Sequence, residues 1–153
     1  MRVKGLVVVS LMIVALAVPA AAAEWKVDKE APFELGTWID LAVTDGPATL
    51  HRIRVAEYSG AFKASDLMRP LNPDYMKTVR IELEYSNSAT RDWAARMVVE
   101  WFDADGTLID GFNGEETLDD RESHDLDTVT WATLKYGLAR AKTLKVKIDM
   151  HAD

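Results

Sequence analysis

Apolar and polar residues alternate in three segments of the chain. In residues 79–85, valine, isoleucine, leucine and tyrosine occupy every second position, and charged residues fill the positions between them. Residues 95–101 and 144–150 follow a similar pattern. A period of two places apolar side chains on one face of an extended segment and charges on the other, as in a half-buried strand. The pattern predicts that a β-sheet forms the centre of the fold.

Turn-forming residues separate the extended segments. Asp105-Gly106 lies between two apolar segments, and glycine accepts the positive φ that a tight hairpin requires. Residues 44–47 (Thr-Asp-Gly-Pro) likewise predict a hairpin between strands near 37–43 and 50–55.

Helical periodicity is limited to one short region. Leu134, Leu138 and Ala141 are spaced four and three apart, which indicates one or two helical turns. We therefore predict an all-β fold, namely a single antiparallel, immunoglobulin-like β-sandwich with about seven strands and at most one or two short helical turns.

Residues 1–23 have the composition of a secretory signal peptide. Arg2 and Lys4 precede an apolar run over residues 5–18, and small residues follow up to Ala23. The run is shorter than the roughly 20 residues that a membrane-spanning helix needs. We expect cleavage before Glu24, a single domain over residues 24–153 without a membrane span, and a periplasmic or secreted location in a bacterium.

The predicted mature chain is acidic and contains no cysteine. Removing the two basic residues of the leader lowers 18 basic residues to 16, against 25 acidic ones, which gives a net charge of −9. This excess argues against nucleic acids and anionic membrane surfaces as partners. The absence of cysteine excludes disulfides, thiol catalysis and cysteine-based zinc sites. The expected partner is an unknown protein or a component of the cell envelope.

Periodicity is lost in residues 58–77, where two prolines interrupt a segment that still contains apolar residues. Connections this long are uncommon in compact domains and are often functional. Two interpretations remain open: a crossover packed on the core, or a loop that binds a partner. Trp38 adds a further candidate because it has the outward parity of its strand. The candidate contact residues for a ligand or partner are therefore Trp38, Leu67, Met68, Leu71 and Tyr75.

Calcium is the first cofactor to consider, because hard cations bind carboxylates and carbonyls held by loops. Residues 103–106 (Asp-Ala-Asp-Gly) begin like a calcium loop but lack its later ligands. Residues 115–127 contain seven acidic residues and are interpreted as a solvated charged loop. No cofactor is predicted, and the candidate metal ligands are Asp103, Asp105, Glu115, Glu116, Asp119 and Asp120.

The sequence contains no convincing catalytic motif. Ser123-His124-Asp125 holds the three side chains of a hydrolase triad, but triad members meet in space, and neighbours along an extended segment point apart. His51, His124 and His151 are far apart in the sequence, which argues against a histidine metal site. No nucleophile elbow or phosphate-binding loop is present. The chain is predicted not to be an enzyme.

The five tryptophans raise sugar binding as an alternative, because aromatic rings offer flat apolar surfaces. Trp101 and Trp131 have the apolar parity of their segments and are predicted to lie in the core. Trp25, Trp38 and Trp93 remain, without a spacing that would form a sugar-binding platform.

Strand and turn signals in residues 79–150 follow a definite order. A strand leads to Asn87, the next strand runs into Asp103-x-Asp105-Gly106, and a final strand alternates apolar residues with lysines. This order resembles small immunoglobulin-like domains of bacterial exported proteins, the FxLyD-like group in particular. The resemblance implies an accessory or adhesion-like module without catalytic residues, so no site residue is transferred.

These observations predict an exported, non-catalytic binding or assembly module that contacts a macromolecular partner through a sheet edge or loops. The alternative is a carbohydrate- or calcium-binding β-sandwich domain, which ligand-induced stabilisation would distinguish. An enzyme would require clustered carboxylates with raised pKa values in a cleft.

Overall fold

The computed structural model describes residues 25–58, 60 and 74–153. These residues form two antiparallel sheets of four strands each, which confirms the predicted all-β sandwich. The described strands number eight, close to the seven expected. The predicted signal peptide and three candidate contact residues (Leu67, Met68 and Leu71) lie outside the described residues.

Each sheet combines strands from both halves of the chain. Sheet I contains, in spatial order, β1 (Val27–Pro32), β8 (Thr143–Ala152), β5 (Trp93–Phe102) and β6 (Leu108–Leu118). Sheet II contains β2 (Ile39–Asp45), β3 (Ala48–Glu57), β4 (Met76–Asn87) and β7 (Glu122–Leu134). Helix α1 (Lys135–Arg140) joins β7 to β8 and so carries the chain from one sheet to the other.

The alternating segments supply the core between the sheets. The apolar side chains on the inward face of residues 79–85 (β4), 95–101 (β5) and 144–150 (β8) are all at most 4% exposed, as the alternation predicted. Trp101 and Trp131 are both buried, and the ring of Phe112 meets that of Trp131 edge-on at 5.7 Å between centroids. Each large apolar side chain buried in this way contributes about 1.5–3 kcal/mol to stability.

The predicted hairpin between β5 and β6 is confirmed. Gly106 has a φ of +78°, a value that glycine adopts without strain. Asp103 stabilises the turn, because its Oδ1 accepts the backbone N–H groups of Asp105 and Thr107 at 3.0 and 2.9 Å. The predicted helical turns are also present, as α1.

The interpretation of residues 115–127 as a charged loop is wrong. Glu115 and Glu116 belong to β6, residues 122–127 belong to β7, and only residues 119–121 form a turn. β7 is an edge strand, and most side chains of its first half are exposed on both faces. A strand of that kind shows no apolar alternation, so its sequence looked like a loop.

Two buried polar residues at the end of β4 tie the sheets together. The hydroxyl of Tyr85 accepts the backbone N–H of Asp119 at 3.0 Å and donates to the carboxylate of Asp125 at 3.2 Å. Asn87 is fully buried and bonds both to the β4–β5 connection and to the last carbonyl of β6, that of Leu118. These contacts fix the turn between β6 and β7 relative to β4.

Candidate functional site

One end of the sandwich, called the helix end below, carries most of the large exposed apolar side chains among the residues that the structure describes. Strands β1, β3, β5 and β7 end there, and β2, β4, β6 and β8 begin there, beside α1. Of the six large apolar side chains that are exposed within residues 25–58 and 74–153, five lie at this end: Leu35, Tyr75, Leu108, Leu134 and Tyr136. Clustered apolar groups of this kind mark interaction sites, whereas single ones are ordinary.

A cleft of about 370 Å³ opens within the helix end. Its walls are formed by Leu35, Lys77, Lys135, Leu138 and Ala139. Leu138 is only 7% exposed and belongs to the core, so the floor of the cleft is apolar. The cleft therefore combines an aliphatic floor with two lysine side chains.

Close packing positions α1 beside this cleft. A Cβ on Gly137 would lie 2.5 Å from Cγ2 of Ile109, so only glycine lets the helix approach β6 this closely. The backbone N–H of Lys135 donates to the carbonyl of Tyr75 at 2.8 Å, which ties the start of β4 to the start of the helix. Tyr75 and Tyr136 are thereby held on the same end, 63% and 74% exposed.

A polar cluster lies on the outer face of sheet II, where two bulges flank residues 84–87 of β4. The pairing of β3 with β4 skips His51, and the pairing of β7 with β4 shifts beside His124, which has a φ of +53°. The two imidazole rings stack with centroids 4.0 Å apart. His51 and His124 are far apart in the sequence, but strand pairing makes them neighbours in the sheet.

Hydrogen bonds link this cluster across three strands. Oγ of Ser86 lies 2.8 Å from Nε2 of His51 and accepts the backbone N–H of His124 at 2.9 Å. Nδ1 of His124 lies 2.7 Å from the carboxylate of Glu84, which also pairs with Arg52. The hydrogen bond from His124, followed by that from Arg52, lowers the pKa of Glu84. Burial, followed by the nearby His124, lowers the pKa of His51.

Trp38 lies beside the same face, immediately before β2. The guanidinium carbons of Arg52 and Arg54 lie 4.4 and 4.3 Å from its ring centroid, and both arginines pair with acids of β4. Guanidinium groups over an indole face make favourable cation–π contacts. The ring of Trp38 is thus in contact with two arginine side chains of the protein itself. Trp25 has a similar contact, with the guanidinium of Arg96 5.3 Å from its ring centroid.

Acidic side chains meet at the open side between the edge strands β6 and β7. Glu116 and Asp127 have the inward parity of their strands. Burial and the negative charge of Asp127 raise the pKa of Glu116 to about 7. Burial also raises the pKa of Asp127, with a smaller contribution from Asp119 and Asp125. These acids, here called the carboxylate rim, place like charges together in a partly buried site.

The candidate metal ligands lie in separate places. Asp103 and Asp105 belong to the β5–β6 turn, where Asp103 pairs with Arg140 at 3.2 Å. Glu115 is exposed on β6, and Asp120 lies in the β6–β7 turn beside Arg121. Among the residues that the structure describes, no three histidine, aspartate or glutamate side chains are arranged to hold a metal ion.

Comparison with known proteins does not assign the chain to a family. The chain matches no protein-family model and no curated protein. Within the described part of the chain, no helix has both the length and the apolar composition needed to cross a membrane.

Sequence reasoning identified Tyr75 and missed its neighbours at the helix end. Leu35, Leu108, Leu134 and Tyr136 come from separate connections and strand ends, and each is ordinary in its local sequence. The sequence offered one indirect signal. In an antiparallel sandwich every second connection lies at the same end, so residues in alternate predicted turns can be expected to lie near one another.

Proposed function

We propose that the protein is an exported, non-catalytic binding module that contacts a partner protein through the helix end. The observation that carries this proposal is the concentration of exposed leucine and tyrosine side chains around a cleft at one end of the sandwich. Exposed tyrosines are frequent anchors in protein interfaces, because they offer a large rigid surface with a polar tip. Loops at one end of a rigid sandwich are also a common location for binding residues.

Three of the four edge strands, β1, β2 and β7, have features that favour docking at the helix end over the addition of a partner strand. β1 carries Lys29 and ends at Pro32, and both residue types disfavour the addition of another strand. β2 contains a bulge at Ala42, which has a φ of +52°, and β7 contains the bulge at His124. Interruptions of this kind discourage a partner strand from pairing along the edge. The carbohydrate- or calcium-binding alternative stays a prediction.

Two exposed leucines on β7 provide a matched test of this proposal. Leu134 is 51% exposed at the helix end, and Leu126 is 43% exposed on the same strand away from it. The experiment compares immobilised wild-type protein, Leu126→Ser, and the double variant Leu134→Ser/Tyr136→Ser in capture from the exported fraction of the source organism. Thermal unfolding of each variant confirms that it is folded.

We expect the wild-type protein and Leu126→Ser to retain the same partner. The double variant should bind it at least about tenfold more weakly, because truncating an interface anchor costs 1 kcal/mol or more. Equal retention by all three proteins would contradict the proposal, as would a loss confined to Leu126→Ser.

A further inference from the structure

The side chains that line the cleft at the helix end include two basic residues and no acidic one. The chain carries a net charge of −7, yet the ionisable side chains among the five residues that line the cleft are two lysines. Lys77 lies 2.8 Å from the carboxylate of Glu57, and this pair occupies one of the three hydrogens of its ammonium group. Lys77 can therefore donate to a second carboxylate without releasing the first.

The remaining lining residues determine the apolar part of a ligand. Leu35, Leu138 and Ala139 present aliphatic carbon, and the buried Leu138 closes the floor. An aliphatic group that enters this cleft removes apolar surface from water on both sides of the contact. The two lysines lie beside this floor, so their ammonium groups can reach an anionic group that is attached to the bound aliphatic group.

We infer that the cleft binds a segment of the partner protein in which an aliphatic side chain lies beside a carboxylate. This inference rests on the proposed function and specifies the chemistry of the partner at that site. The aliphatic group occupies the floor formed by Leu35, Leu138 and Ala139, while the carboxylate pairs with Lys77 and Lys135. A basic group at that position would face the ammonium groups of Lys135 and of Lys77, the latter paired with Glu57.

Two small probes that share one chain and differ in charge test this chemistry. The probes are octanoate and octyltrimethylammonium, used below the concentrations at which they form micelles. Binding is followed by shifts of backbone amide signals in two-dimensional NMR spectra of the isotope-labelled protein. Non-specific attraction to a chain of net charge −7 favours the cation. Tighter binding of octanoate than of the cation therefore cannot come from non-specific charge attraction.

We expect octanoate to shift the signals of Leu35, Lys77 and Leu138 and to bind about fivefold more tightly than the cation. The variant Lys77→Gln/Lys135→Gln should abolish that preference. Lys147→Gln is the matched control, because Lys147 is also paired with an acid, Asp28 at 3.7 Å, but lies on β8. This control should retain the preference for octanoate.

Equal binding of the two probes, preference for the cation, or shifts confined to other surfaces would overturn the inference. These outcomes are separable from failure of the proposed function. If the helix-end variant loses the partner while octanoate shows no preference, docking at the helix end stands and the carboxylate chemistry is wrong. If the variant also retains the partner, both proposals are wrong.

Discussion

Replacing Asn87 with alanine is expected to lower the free energy of unfolding by about 3 kcal/mol, because three hydrogen bonds of a fully buried side chain are lost. The side chain is fully buried. Its Nδ2 donates to the carbonyls of Arg91 and Leu118, and its Oδ1 accepts the backbone N–H of Ala89, each at 3.0 Å. Alanine removes the hydrogen-bond partner of these three backbone groups, and a buried polar group without a partner lowers the stability of the folded state.

Urea denaturation of Asn87→Ala measures this loss, and Asn113→Ala is the matched control. Asn113 is exposed on β6, so its replacement should change the free energy of unfolding by less than about 0.5 kcal/mol. For a domain of this size, the loss in Asn87→Ala corresponds to a melting temperature lowered by about 10 °C. A change below about 1 kcal/mol in Asn87→Ala would show that the asparagine does not hold the β4–β5 connection to β6.

Replacing Glu116 with glutamine is expected to stabilise the protein at about pH 8 and to leave its stability unchanged near pH 4. Burial and Asp127 raise the pKa of Glu116 from 4.5 to about 7 in the folded protein. Between these values the folded state holds a proton that the unfolded state has released. The free energy of unfolding therefore falls as the pH rises through this window, and the full penalty is present above about pH 7.

The magnitude of this effect is smaller than the difference in pKa alone would give, because the site is partly open to solvent. After allowance for solvent screening, we expect Glu116→Gln to raise the free energy of unfolding by about 1–2 kcal/mol at about pH 8. Glutamine keeps the shape of the side chain and removes the charge that faces Asp127.

Denaturation midpoints measured from pH 4 to pH 8 provide the test. Glu115→Gln is the control, because Glu115 is an exposed neighbour on the same strand whose ion pair with His151 is also exposed. The stability of this control should follow that of the wild type at every pH to within about 0.5 kcal/mol. A difference between Glu116→Gln and wild type that does not depend on pH would be inconsistent with a raised pKa at the carboxylate rim.

The central strands could be predicted because one face of each is buried. β4, β5 and β8 each lie between two other strands of their sheet, and their side chains alternate between the core and the surface. Burial imposes the period of two directly on the sequence. The first half of β7 lacked this constraint, because an edge strand that extends past the core has solvent on both faces.

The histidine pair had no local signal at all. His51 and His124 meet because β3 and β7 both pair with β4 and because each strand contributes a bulge beside residues 84–87 of β4. Strand order and register determine this meeting, and neither can be read from the residues around each histidine. Tyr85 shows the same limit: its alternation predicted burial, but its hydrogen bonds to the β6–β7 turn depend on the packing of the two sheets.

The helix end also arises from topology. The β1–β2 and β5–β6 connections, the residues around the start of β4, and α1 all lie at one end of the sandwich. Each contributes or adjoins an exposed apolar residue, such as Leu35, Tyr75 or Tyr136. The sequence singled out the long β3–β4 connection, whose Tyr75 is part of this surface. The contributions of the shorter connections became visible only once the strands were assigned to sheets.

Site-specific photo-crosslinking tests docking at the helix end most directly. A photoreactive phenylalanine analogue replaces Tyr136 at the helix end or, as the control, Arg121, which is exposed in the turn at the opposite end of β7. Both proteins are irradiated in the exported fraction of the source organism. We predict one discrete crosslinked product from position 136 and none from position 121. The same product from position 121, or a product from position 121 alone, would contradict docking at the helix end.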